Sequence, residues 1–315
     1  MSDDAGGGSL GNYDISAIRR FRNVDHNESL AVGPDGEAYT TSFYNETEAV
    51  APDGTSYSAS SHPLRVFRLN LETNLGEPFA VLPYLTLGQV VDADGFLYCA
   101  ECCSPRSRVI RVSPAGEIST YCSGFEGRGF DSANTPVFDR RGNMYLSDSG
   151  TWSGAPDGRI FKIPPGGGEA QLWHAGVETP NGIALDPEEK FLYFVETLGH
   201  SISRVAIKPD GSAGGEERML HMPGHVPDGI AFDEDGRVWI ACHRPDSIHV
   251  FHPGTTRLER FAHDWKGEML RGPCHVAFAG PNRDILLASS LDKGMVSRLD
   301  HMPVRGLRLN HPKLA

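Results

Sequence analysis

Asp92, Asp139, Asp186 and Asp233 follow one another at intervals of 47 residues, each inside a related sentence: VVDADGFLYCA, PVFDRRGNMYLSD, IALDPEEKFLYFVE and IAFDEDGRVWIAC. Two less regular copies flank them, LAVGPDGEAYTTS with Gly33 in the aspartate's place and VAFAGPNRDILLASS with Ala279 there, so the chain holds six units. Each unit runs from a short apolar strand through a D-x-x-G type turn to a second strand, then to a third such as GRIFKI or SIHVFH. A fourth follows in most, as in EISTYC or TRLERFA. Four strands per unit at a period of 40 to 50 residues is the signature of a β-propeller. The expected fold is all-β: a six-bladed propeller of four-stranded antiparallel blades, forming one domain over residues 13–315 after a flexible, acidic, Gly-rich leader at 1–12. The last unit runs short, and SAIRRF (Ser16 to Phe21) is expected to supply its fourth strand, closing the ring and removing exposed edges. The twelve extra residues of the first unit, around NETEAVAPDGTSYSAS, read as a long loop over one face.

Charge and composition narrow the function. A net charge of −12 without a basic patch argues against nucleic-acid or anionic-membrane partners and suits a chain that holds a cation. No run of eighteen apolar residues exists, and the start lacks a secretory signal's basic and apolar regions, so a cytoplasmic protein with a small-molecule substrate is expected. Its oligomeric state is left open. Six cysteines are too few for a disulfide scaffold, and Cys99 with Cys102 has no second ligand pair at zinc-finger spacing, so thiols at a strand end are the simpler reading. The sequons at Asn27 and Asn45 carry no meaning without secretion.

The repeats ETPNGIALD and HVPDGIAFD differ in one polar slot, Asn181 against Asp228. Pro-Asn-Gly and Pro-Asp-Gly are strong turn signals, and that is the plainer account of each taken singly. The same offset in the other units selects Glu28, Leu87, Asn134 and Cys274. Asn134 precedes Thr-Pro and Glu28 precedes Ser-Leu, neither of which is a turn demanding those residues, so turn chemistry covers half the set. The first strand of every propeller blade lies nearest the axis, so the six slots converge there. Two carboxylates and two amides gathered on one axis repel or stay unsatisfied unless something bridges them. A divalent cation held by Glu28, Asn134, Asn181 and Asp228 answers that, with Ca²⁺ first among hard cations, Mg²⁺ and Mn²⁺ allowed, and Zn²⁺ or Fe²⁺ kept open by Cys274 and His275. Four protein ligands leave positions for water and a substrate oxygen.

Asp148, Glu196, His243 and Arg244 end second strands or begin the loops after them, and are expected at the same mouth. For each, a solvated loop residue is the commoner case. Arg244 is suited to a substrate carboxylate and His243 to moving a proton. No Gly-x-Ser-x-Gly elbow or His-Asp-Ser arrangement is present, and the GGG at 166–168 lies in a hairpin rather than before a helix.

In VPDGIAFDEDGRVWIAC, TPNGIALD, ANTPVFDRRGNMYLSD and NESLAVGPDG the sequence resembles the SMP-30/gluconolactonase family of six-bladed propellers over nearly its whole length. The resemblance implies one divalent cation at the channel mouth, held by Glu28, Asn134, Asn181 and Asp228, with Asp228 also the general base and Glu28 the runner-up for that role. It implies a metal-dependent lactone hydrolase. One departure stands out: sugar-lactone members carry an Arg two residues before the Asn that matches Asn134, where this chain has Ser132. A lactone less hydroxylated or more hydrophobic than gluconolactone is therefore expected. The alternatives are a phosphotriesterase-like hydrolase on the same cation and a non-catalytic propeller with a structural cation plug. A metal-free synthase of the strictosidine type is disfavoured by the retained ligand set.

Overall fold

The computed structural model describes residues 9–24, 27–42, 46–50, 56–60, 63–102, 104, 106–292 and 294–314. They form six four-stranded antiparallel sheets arranged as the blades of a propeller. From the axis outward, blade 1 is Asn27–Val32, Ala38–Ser42, Leu64–Asn70 and Leu75–Leu82, and blade 2 is Thr86–Val91, Leu97–Glu101, Arg108–Val112 and Ile118–Cys122. Blade 3 is Ala133–Phe138, Met144–Asp148, Gly158–Ile163 and Gln171–Val177, and blade 4 is Pro180–Leu185, Phe191–Glu196, Ser201–Ile207 and Ala213–His221. Blade 5 is Val226–Phe232, Val238–Arg244, Ser247–Phe251 and Leu258–His263. Blade 6 takes Pro273–Ala279, Ile285–Ser290 and Met295–Leu299 from its own unit and its outer strand, Arg19–Arg20, from the start of the chain. Arg19 pairs with Arg298 and Arg20 with Ser297, so the ring closes as expected, although only two residues of the proposed strand pair and Ile15–Ala17 is a 3₁₀ turn. No helix among the described residues is long and apolar enough to cross a membrane.

The blades hold together because each sheet is apolar on both faces. Buried side chains collect into six clusters, one in every gap between neighbouring blades. The repeating aspartates cap the turn after the inner strand in blades 2 to 5. Asp92 Oδ1 accepts from the amides of Asp94 and Phe96, and its Oδ2 accepts from the Tyr98 hydroxyl at 2.8 Å. Asp233 accepts likewise from the amides of Asp235 and Arg237 and from the Trp239 indole N–H. The 47-residue spacing is thus the spacing of a structural device in which a short side chain caps a hairpin turn, and in blades 2 and 5 also ties it to an aromatic of the second strand.

Two local expectations change. The first unit's insertion is not a plain loop: Glu46–Val50 and Ser56–Ser60 pair as an antiparallel hairpin, while its remaining residues, with Asn45, lie outside the described set. Of the leader, residues 1–8 lie outside it too, but Ser9 and Leu10 both donate to the Glu259 carboxylate, and the Tyr13 amide donates to the Phe261 carbonyl. Those contacts pin residues 9–13 to the outer strand of blade 5. The five described cysteines are buried and not disulfide-bonded.

Candidate metal centre at the channel mouth

Every inner strand slips register against its second strand at the same level. The shifts fall between Asn27 and Leu30, Thr86 and Gly88, Ala133 and Pro136, Pro180 and Ile183, Pro227 and Ile230, and Pro273 and His275. Glu28, Leu87, Asn134, Asn181, Asp228 and Cys274 each sit inside one of these bulges, where a residue leaves the ladder and its side chain is re-aimed. Asn181-Gly182 and Asp228-Gly229 are consequently not turns, contrary to the local reading of those dipeptides; both lie within inner strands. Their glycines answer a different need. A Cβ on Gly182 would lie 2.7 Å from the Asp228 carbonyl oxygen, and one on Gly229 would lie 2.7 Å from that of Cys274. Only glycine lets neighbouring inner strands pass this closely around the axis.

Glu28, Asn134, Asn181 and Asp228 are all buried. Burial raises the Glu28 carboxyl well above its ordinary range, and the Asp228 charge raises it further. Asp228 is raised in turn by burial, with a hydrogen bond from Asn181 opposing the shift. Two acids held like this are stable as anions only beside a positive charge. Glu28 Oε2 is buried and has no hydrogen-bond partner among the described residues. Asn134 Nδ2 donates to Ser149 Oγ at 3.0 Å, which fixes the amide and leaves Oδ1, bonded by the Thr135 hydroxyl, as the end with spare acceptor capacity. Among the described residues no three His, Cys, Asp or Glu side chains converge to hold a metal by themselves, so a cation here depends on the two amides. An orphaned carboxylate oxygen within an all-oxygen set fits a hard divalent cation of the Ca²⁺ kind.

Hydroxyls from the preceding blade hold two slot residues by their backbone. Ser147 Oγ of blade 3 donates to the Asn181 carbonyl at 2.7 Å, and Ser289 Oγ of blade 6 donates to the Glu28 carbonyl at 2.6 Å. The Cys274 thiol also turns to the Glu28 carbonyl, at 3.1 Å, and lies 3.3 Å from Ser289 Oγ, so it stands between blades 6 and 1 rather than over the mouth. Only the register of the strands could have revealed these hydroxyls, since each acts on the next unit.

The residues expected to meet substrate divide. Asp148 is fully buried, bonded to the amides of Asp131 and Ser132 and paired with Arg159 at 3.0 Å, which commits it to the start of its own blade. Glu196 accepts from Ser201 Oγ and Ser203 Oγ inside blade 4. His275 lines the channel beneath the slot, where burial lowers its pKa to about 4. His243 and Arg244 do lie at the rim, beside Asp292 of blade 6: Arg244 Nη1 is 2.9 Å and His243 Nε2 3.7 Å from its carboxylate. Ser132 is buried, with its hydroxyl accepting from the Trp152 indole N–H at 3.0 Å. Trp152 lies in an irregular loop without a counterpart in the repeat, so nothing in the spacing singled it out.

Beneath the slot the channel widens to a cavity of about 120 Å³, lined by inner-strand residues such as Gln89, Thr135, Ile183, Ile230 and His275. Residues 307–310 line its far end. The Leu307 amide donates to Phe232 O, Asn310 Nδ2 to Phe138 O and to Glu189, and Ala93 N to Pro312 O, so this final segment spans blades 2 to 5. The slot lies at the opposite end of the inner strands from this segment.

Comparison with known proteins agrees with this architecture. The family described as SMP-30/Gluconolactonase/LRE-like region matches residues 65–292. A lactonase drp35 of Staphylococcus aureus (strain bovine RF122 / ET3-1) is 27% identical over 169 residues, 52% of either chain. A lactonase drp35 of Staphylococcus epidermidis is 25% identical over 162 residues. The matched stretch spans about half the length of these curated relatives. Among solved structures, a calcium-binding regucalcin from Agrobacterium tumefaciens superposes with a TM-score of 0.71 at 16% identity, covering 94% of this chain and 97% of that one. A gluconolactonase from Xanthomonas campestris gives 0.65 at 18% identity, covering 90% and 99%. At such identities the structural likeness speaks for the fold.

Proposed function

The chain belongs to the SMP-30/gluconolactonase/LRE-like family, and from that premise we propose that it is a divalent-metal-dependent hydrolase that opens lactones at the slot face of the channel. The observation that carries the reading is the buried four-residue set, with two acids and one carboxylate oxygen orphaned among the described residues, at the level where each of the six inner strands slips register. Glu28, Asn134, Asn181 and Asp228 would hold the cation, Ca²⁺ before Mg²⁺, Mn²⁺, Zn²⁺ or Fe²⁺. When bound, such an ion supplies Lewis-acid polarisation of a carbonyl and charge for a developing oxyanion. The chain's own residues do the rest. Asp228 takes the proton from the attacking water, oriented by its hydrogen bond with Asn181. Burial of the set excludes bulk water from around that carboxylate. The lactonase names of the curated relatives and the gluconolactonase among the structural neighbours support lactones as substrates.

The test is Asp228→Asn. It keeps an oxygen ligand and removes the basic oxygen, so metal content by elemental analysis is expected to persist while lactone turnover falls by about 10²-fold or more. Near-normal turnover by the metal-loaded variant would remove Asp228 as base and leave Glu28. Exhaustive chelation is expected to abolish turnover and lower the melting temperature, because a cation that binds only the folded chain stabilises it by mass action. Hydrolysis confined to phosphotriesters in a wider screen would transfer the same site to the alternative reaction.

A further inference from the structure

The mouth is chemically two-sided. On blades 5 and 6 the rim carries His243, Arg244, Arg271 and Asp292, a mutually paired charged group. On the other side the slot of blade 2 is Leu87, and the rim loops of blades 3 and 4 present Trp152 and Leu198, large apolar side chains that are 43% and 38% exposed. These two loops are neighbours, since the Glu178 carboxylate lies between Gly154 of the first and Gly199 of the second.

Trp152 is not a loosely displayed ring. Its indole N–H is tied to Ser132 Oγ, two residues before Asn134 in the chain. Ser132 is immobile in turn: its amide donates to Asp148 at 2.6 Å and its carbonyl accepts from the Ser149 amide at 2.9 Å. Trp152 itself adopts the left-handed backbone region, with φ of 56°, and the adjacent Thr151 is bonded to Asp157. A tryptophan in a strained backbone state, anchored at its polar edge to a buried serine and still 43% exposed, is arranged to receive something flat or apolar.

We propose that Trp152 is the specificity-determining residue of the site, stacking on an aromatic or alkyl substituent of the lactone ring and so selecting such lactones over polyhydroxylated ones. This rests on the lactonase reading for the reaction but not for the binding. Two measurements keep them apart. In the first, kcat/KM is compared for a phenyl- or hexyl-substituted δ-lactone and for gluconolactone, in the metal-loaded parent, Trp152→Phe and Trp152→Ala. The substituted lactone is expected to be preferred by the parent and to lose about tenfold in Trp152→Ala, mainly through KM, with Trp152→Phe close to the parent and gluconolactone little changed. Equal losses for both lactones in Trp152→Ala, or no preference in the parent, would overturn the assignment. In the second, quenching of tryptophan fluorescence is titrated with the matching non-hydrolysable substituted δ-lactam. Quenching in the parent that disappears in Trp152→Phe supports the stacking site even if no lactone is turned over, a result that would sink the lactonase reading alone. Quenching that persists in Trp152→Phe, or is absent in the parent, sinks the stacking site.

Discussion

Among the described residues Glu28 Oε2 has no hydrogen-bond partner, while the Glu28 backbone carbonyl takes two donors, Ser289 Oγ and Cys274 Sγ. Its carbonyl therefore fixes where the carboxylate can reach, and Ser147 does the same for Asn181. Outer hydrogen bonds of this kind orient metal-binding groups, and losing one typically costs 10- to 100-fold in metal affinity. Ser289→Ala is expected to weaken Ca²⁺ binding within roughly that range while the chelated protein melts within a degree or two of the parent, as read by calorimetric titration and thermal melts. An unchanged affinity, or a loss matched by the fall in stability, would make Ser289 merely a packing residue. At this scale the repeat spacing revealed the slot residues because a fixed period fixes a strand position. It did not reveal Ser289, whose partner is 261 residues away, or Asp148 and Glu196 as internal ties, because sequence order does not say toward which face a strand end turns its carboxylate.

The inner strand is the element on which the site depends, and its glycines are the test of how. If Gly182 served a turn, alanine there would be mild, since its backbone is not in the left-handed region. Within the strand, the added methyl meets the Asp228 carbonyl and the Gly229 Cα at 2.7 Å. Gly182→Ala is expected to cost about 1–3 kcal/mol in denaturant melts, the scale of overpacking a close contact, and to weaken metal binding by pushing blades 4 and 5 apart. A variant as stable as the parent would contradict the strand geometry. Blade 5's third strand offers an independent check through His249, which is buried against His225 and near Arg260 and His263; burial, then those three cations, lowers its pKa to about 4. The ordinary value is 6.5, so as pH falls the unfolded chain takes up this proton before the folded one does. The contribution to stability is complete above about pH 6.5 and is lost as pH falls toward 4, on the order of 2 kcal/mol. His249→Gln is expected to flatten that part of the stability curve, and an unaltered slope would show that His249 is not a source of it. Strands and their order could be read from apolar runs and turn residues, whereas the bulges could not, because a bulge is a property of two paired strands.

Across the whole molecule the ring is closed twice, by different ends of the chain. Arg19–Arg20 completes blade 6, a closure foreseeable because the last unit lacked a strand. The second closure was not foreseeable: residues after Asp300 lack strand pattern, yet Leu307 and Pro312 through main-chain bonds and Asn310 through its side-chain amide reach four blades, and Leu314 packs into the cluster between blades 2 and 3. This segment floors the cavity of about 120 Å³. Its removal separates what holds the ring from what admits substrate. A chain stopped after Arg305 loses those bonds and is expected to melt several degrees lower, with faster amide exchange along the inner strands facing the cavity. Asn310→Ala, which loses only its bonds to blades 3 and 4, is expected to show a smaller shift of the same sign. Because the proposed cation set lies at the opposite end of the inner strands, kcat/KM measured well below the melting point is expected to stay within about twofold of the parent, the tolerance for sites that do not share contacts. A large rise in kcat/KM in both variants would mean that substrate enters past this segment rather than by the slot face.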